Sequence, residues 1–130
     1  MEPTTHNILV VDDSATTRAV VKRTIALSGA AVGDVFEAGD GNAALGVIRS
    51  RKVDLVLLDL HMPGMGGVEL AGILHGDPAT RDIPIVVISA EPSAGRIEAL
   101  KAGGVRGYVR KPFRPEQVRD VIHHFLGGGQ

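Results

Sequence analysis

At 130 residues the chain has the length of one domain, enough to bury roughly two-thirds of its unfolded surface. Its 14 basic and 15 acidic residues leave a net charge of −1 with no long basic block, which argues against bulk binding to nucleic acid. Without cysteine there are no disulfides, zinc ribbons or thiol chemistry, and with 3 Phe, 1 Tyr and no Trp the core must be aliphatic.

The opening MEPTTHN is polar and too short for a signal peptide, and no apolar run is long enough to cross a membrane. A cytoplasmic domain without membrane contact is expected. In chain order, Ile8–Val11 reads as a first strand. Ser14 to Leu27 comes next as a helix, with Val20, Val21, Thr24 and Ile25 at helical spacing and Gly29 available to close it in the left-handed conformation. Val32–Phe36 is a weaker strand. Asp40 is a candidate N-cap for a helix carrying Ala44, Leu45 and Ile48.

Val53–Leu58 is the most apolar run. Beyond its loop, Val68 to Leu74 reads as a helix with Leu70, Ile73 and Leu74 on one side. Ile83–Ile88 is a fourth strand, and Ile97 and Leu100 anchor a short helix ending at Gly103-Gly104. Gly107–Val109 is a fifth strand. Pro115 then opens the clearest helix, with Val118, Val121, Ile122 and Phe125 at i, i+3, i+4 and i+7.

Apolar runs that do not alternate are expected for strands covered on both faces, and strand–helix alternation predicts an α/β doubly wound parallel sheet. Residues 1–126 read as one domain, with 127–130 a flexible Gly-rich tail.

In such sheets ligands bind at the carboxyl ends of the strands. The first run is succeeded there by Asp12 and Asp13, the third by Asp59, the fourth by Ser89 and the fifth by Arg110, Lys111 and Pro112. Carboxylates crowded at a half-buried rim require compensation. Lys111 can neutralise one, and a hard divalent cation suits the rest; an oxygen-only set with few carboxylates fits hydrated Mg2+. Metal, ammonium, hydroxyl and a carboxylate nucleophile are the parts that hold and accept a phosphoryl group. Asp59, alone at the end of VDLVLLD, is the candidate acceptor.

The segments VVDDS, LVLLDLHMPGMGG, VVISA and YVRKPF, in this order, make the chain resemble a response-regulator receiver domain over essentially its whole length. The resemblance implies a flavodoxin-like sheet of five strands in the order 2-1-3-4-5, flanked by five helices. It implies that Asp12 and Asp13 bind Mg2+ directly or through water, and that Asp59 is both metal ligand and phosphoacceptor. The backbone carbonyl of His61 would complete the metal site. Ser89 would contact the phosphoryl group, Lys111 would pair with it, Tyr108 would be the switch aromatic, and Pro112 would follow a cis peptide. Phosphorylation brings charge and acceptor oxygens to Asp59, and Ser89 and Tyr108 would relay this to the face built from the fourth helix, fifth strand and fifth helix. The implied donor is the phosphohistidine of a sensor histidine kinase or a phosphotransfer protein. Self-hydrolysis would be slow rather than metabolic turnover, and no direct nucleic-acid binding is expected.

Other readings stand beside these. Asp12, Asp13 and Ser14 can simply cap a helix. Ser89 and Lys111 can be ordinary polar residues, and Tyr108 can be packing. An aspartyl-phosphate-forming phosphohydrolase also uses such carboxylates, but typically as Asp-x-Asp on one strand end rather than as an adjacent pair with a third Asp elsewhere. His61 and Glu91, each two residues beyond a site residue, are candidates for tuning dephosphorylation. The histidines read as surface residues. The glycines at 64, 66 and 67 do not make a dinucleotide loop, because Glu69 stands where a glycine is required.

Overall fold

Successive side chains of a strand point to opposite faces, so the unbroken apolar run Ile8 to Val11 needs cover on both sides. The computed structural model describes residues 6–30, 32–59, 67–89, 98, 100–111 and 113–126. The chain order is β1 (His6–Val11), α1 (Ala15–Leu27), β2 (Val32–Ala38), α2 (Gly41–Ser50), β3 (Leu55–Leu58), α3 (Gly67–Gly76) and β4 (Ile85–Ser89). Helical residues 98 and 100–102, here α4, precede β5 (Gly107–Arg110) and α5 (Pro115–Leu126). The strands form one sheet in the order β2-β1-β3-β4-β5, and every neighbouring pair is parallel.

The alternation sorts the core into two layers. Leu9, Val11, Val56, Leu58 and Val87 pack with residues of α2, α3 and α4. Ile8, Val10, Leu55, Leu57 and Val86 pack with Val21 and Ile25 of α1 and Val118 and Ile122 of α5. Leu9 and Leu58 are fully buried, and truncating either to alanine costs about 2–5 kcal/mol.

Helix ends obey local chemistry. The Ser14 hydroxyl accepts from the Thr17 N–H at 3.1 Å, and the Asp40 carboxylate accepts from the Ala43 N–H at 2.8 Å. Each such cap contributes about 1 kcal/mol. Gly29 adopts φ +78° after α1, as its position predicts. At the end of α4, Gly104 has φ +100°, the Val105 N–H donates to Leu100 O at 3.0 Å, and the Gly104 N–H donates to Lys101 O at 3.1 Å. This is a Schellman closure, and Leu100 and Val105 complete it by packing in one core layer. A Cβ at Gly104 would also meet the His75 ring at 2.5 Å, so glycine is needed there twice over.

The structure departs from the sequence expectations at several edges. β2 runs on to Ala38, while β3 starts at Leu55 rather than Val53. Asp54 is tied instead to Asn7, whose N–H donates to the Asp54 carboxylate at 2.8 Å. β4 starts at Ile85, because the Ile83 N–H closes a turn onto Thr80 O at 3.0 Å and Pro84 has no N–H to give a ladder. Val20 and Ile73, which share helical spacing with core residues, are exposed. On α1 the sheet takes Val21, Thr24 and Ile25, and on α3 it takes Leu70, Ala71 and Leu74.

Candidate functional site

Register brings the polar residues together. Val11 of β1 pairs with Leu58 of β3, so the next residues, Asp12 and Asp59, emerge side by side at the carboxyl edge. The ladder continues through them: the Asp12 N–H donates to Ala38 O at 3.1 Å, and the Asp59 N–H donates to Val11 O at 2.9 Å. Asp12 and Asp59 are buried and Asp13 is exposed. Each of the three offers a carboxylate oxygen, and these oxygens lie within 4.8 Å of one another.

Lys111 comes directly after β5, whose Arg110 pairs with Ser89 of β4. Its stem reaches across the intervening strand ends to place Nζ 3.5 Å from Asp12 Oδ2, joining residues 99 apart in sequence. The other Asp12 oxygen, Oδ1, accepts from the Ser14 N–H at 2.9 Å. Three carboxylates bring three negative charges to the rim and the Lys111 ammonium brings one positive; a divalent cation makes up the difference. Oxygens around an octahedral ion with bonds of about 2.1 Å lie no more than about 4.2 Å apart. Small carboxylate rotations, or a water between ligand and ion, close the gap from the observed span, so the donor set fits a hard divalent ion.

Ser89 ends β4 at this same edge, described here by its backbone. Tyr108 stands on β5 opposite Val87, half-buried against the layer that holds Leu100 and Val105. It borders a shallow apolar depression lined also by Leu100, Lys101, Val105 and Gly107. His61, Glu91 and Pro112 lie outside the described residues, as does the 127–130 tail. Among the described residues no histidine joins the acidic cluster. His75 instead lies over Gly104, and His124 meets Phe125 edge-on with ring centres 4.7 Å apart.

Sequence reasoning missed the cationic side chain nearest the acidic loop on its other flank. Arg18 of α1 donates through Nη1 to the Asp12 carbonyl at 2.6 Å and through Nε to Glu37 at 3.0 Å. Lys22 holds the second Glu37 oxygen at 3.1 Å. The hydrogen bond from Lys22, then that from Arg18, keeps the Glu37 pKa below the usual carboxylate range. Arg18 is only six residues beyond Asp12, but nothing local points it at Glu37, which is on another strand.

A parallel sheet ordered β2-β1-β3-β4-β5, with acidic, hydroxyl and lysine residues at one strand-end rim, defines a signal-receiver architecture. The chain belongs to the response regulator receiver domain family, which it matches over residues 8–123. It is 33% identical over 115 residues to the chemotaxis protein CheY of Pseudomonas aeruginosa, covering 88% of this chain and 91% of that one. It is 36% identical over 124 residues to a CheY homolog of Campylobacter jejuni, covering 94% and 93%. Among solved structures it resembles the chemotaxis protein CheY4 of Vibrio cholerae, with TM-score 0.85 and 29% identity over 95% of this chain and 100% of that one. The protein is therefore a phosphorylation-activated switch of two-component signalling, and proteins of this kind are signalling elements rather than metabolic enzymes.

Proposed function

We propose that Asp59 is the phosphoacceptor and that Mg2+ is the ion at the rim. The observation that carries this is the meeting of Asp12, Asp13 and Asp59 from two strand ends with the Lys111 ammonium on Asp12. In this reading Asp12 and Asp13 hold the ion directly or through water and Asp59 is a ligand as well, while the Asp12 oxygens also meet the Ser14 N–H and the Lys111 ammonium. The His61 backbone carbonyl is the further ligand in this reading. Mg2+ bound there supplies positive charge to the oxygens of the incoming phosphoryl group.

Transfer begins with a carboxylate oxygen of Asp59 facing the phosphorus of a phosphohistidine. The P–N bond of the donor breaks as the O–P bond forms, and the histidine leaves with its electron pair. Lys111, released from full engagement with Asp12, pairs with the new phosphoryl oxygens, and the Ser89 hydroxyl donates to another. Ser89 moving toward the rim alters the space beside Tyr108. The half-buried ring then exchanges between two packings, shifting the population of the α4–β5–α5 face. The partners in this reading are a sensor histidine kinase or phosphotransfer protein at the rim and an output partner on that face, in the cytoplasm, with no direct contact to nucleic acid. The receiver unit in this reading is residues 1–126. Self-hydrolysis is slow, with His61 and Glu91 tuning it.

The test is incubation with acetyl phosphate and Mg2+, read by intact mass and peptide mapping. One phosphoryl adduct on Asp59, absent in Asp59→Asn and absent without metal, is the expected result. An adduct that survives Asp59→Asn, or repeated turnover of a phosphomonoester, overturns the reading.

A further inference from the structure

Arg18 has no part in the roles described above, yet it is bonded to the main chain of the acidic loop. Its side chain is 18% exposed and its guanidinium links two elements. One end holds the Asp12 carbonyl at 2.6 Å, and the other rests on Glu37, which Lys22 grips from the opposite side. Glu37 belongs to β2 and pairs in register with Val10 of β1. The group passes close to Gly39, where an added Cβ would lie 3.6 Å from Nη1.

Charge gives this link a mechanical consequence. Three neighbouring carboxylates repel one another, and two of them, Asp12 and Asp13, stand on the β1–α1 turn. Lys111 and the Ser14 N–H hold the Asp12 side chain. Arg18 holds its backbone. A guanidinium is a rigid planar fork, so anchoring Nε on Glu37 fixes where Nη1 can donate.

We infer that Arg18 is a positioning residue for the cation site: braced by Glu37, it holds the Asp12–Asp13 turn in the arrangement that receives the ion. The inference rests on the Mg2+ reading above. Two effects of Arg18 have opposite signs. Its positive charge close to the site repels a cation, so a purely electrostatic role predicts tighter Mg2+ binding when the charge is removed. A positioning role predicts weaker binding, because the ion must then order the turn itself. A lysine at 18 keeps the charge and loses the fork.

The experiment measures Mg2+ affinity of the unphosphorylated chain by calorimetry, with Mn2+ as a paramagnetic probe, beside urea unfolding without metal. The proteins are wild type, Arg18→Gln, Arg18→Lys, Lys22→Ala and Asp13→Asn. Both Arg18 variants are expected to weaken binding about 10-fold, the low end for residues that orient metal ligands. Lys22→Ala, which loosens the same Glu37 without touching Asp12, is expected to stay within about twofold of wild type while losing similar metal-free stability. Arg18 variants that bind as well as wild type or better overturn the inference, and so does Lys22→Ala weakening binding as much. If wild type and Asp13→Asn bind Mg2+ alike, the metal reading fails and takes the inference with it. Binding that depends on Asp13 but not on Arg18 sinks the inference alone.

Discussion

Asp12 and Glu37 stand near the ends of the neighbouring strands β1 and β2, and each carboxylate is met by a basic side chain, but burial separates them. The Asp12 side chain is 6% exposed and its partner Lys111 is 27% exposed. Glu37 is 36% exposed and is shared by Arg18 and Lys22 from the adjacent helix. In water-like surroundings the second arrangement contributes about 0.2–1 kcal/mol per pair and weakens with salt. At the rim, desolvation makes a missing partner costly, and it also gives each charge there leverage over an incoming anion or cation. Two kinds of ion pair alike in chemistry thus differ in setting: one joins a helix to a strand at the surface, and the other lies at the half-buried acidic rim.

The strongest way to break this contrast is Asp13→Asn. Neutralising one of three crowded carboxylates is expected to lower Mg2+ affinity by at least about 10-fold and to raise metal-free stability by roughly 1 kcal/mol through relieved repulsion. Calorimetry and urea unfolding read the two effects, and a variant that loses stability without metal contradicts the picture of a strained acidic rim.

Next in size is Lys111→Met. It leaves the buried Asp12 carboxylate without its ammonium and is expected to cost about 1–3 kcal/mol, less than a fully buried pair because Lys111 keeps some solvent. Adding Asp12→Asn should recover most of that loss, so unfolding of the two single variants and the double variant yields a coupling energy of about 1 kcal/mol or more. Additive losses would place this pair with the surface ones.

The smallest effect belongs to Glu37→Gln, expected below about 1 kcal/mol at neutral pH and smaller still in high salt. Because its pairing lowers the folded-state pKa, the unfolded chain binds the proton more readily. The stabilisation is therefore complete above the usual value of 4.5 and is lost as pH falls through the lowered one. Urea unfolding of wild type and variant at neutral pH and at successively lower pH checks this; a difference that does not shrink as the pH falls below 4.5 contradicts the assignment.

Much of this was legible in the chain. Non-alternating runs such as ILVV announce strands covered on both faces, and the two core layers bear that out. Asp12, Asp13, Asp59, Ser89 and Lys111 stand out because each lies just past an apolar run, and a parallel sheet delivers every strand end to one edge. Val20 and Ile73 share helical spacing with core residues yet stay exposed, because periodicity admits more than one apolar stripe and only docking on the sheet selects which is covered. The early start assigned to β3 failed for a similar reason: Asp54 prefers Asn7, and that partner is 47 residues away.

The amino-acid order by itself determined the alternation of elements, the capped helix starts at Ser14 and Asp40, and which residue types reach the functional edge, since all of these depend on local periodicity and neighbours a few residues apart. Tertiary structure alone decided that Lys111 meets Asp12, that Arg18 spans from Asp12 to Glu37, and that Asp59 emerges beside Asp12. Those pairings are set by strand register and by side chains long enough to cross several strand ends, and neither is encoded within any single stretch of the chain.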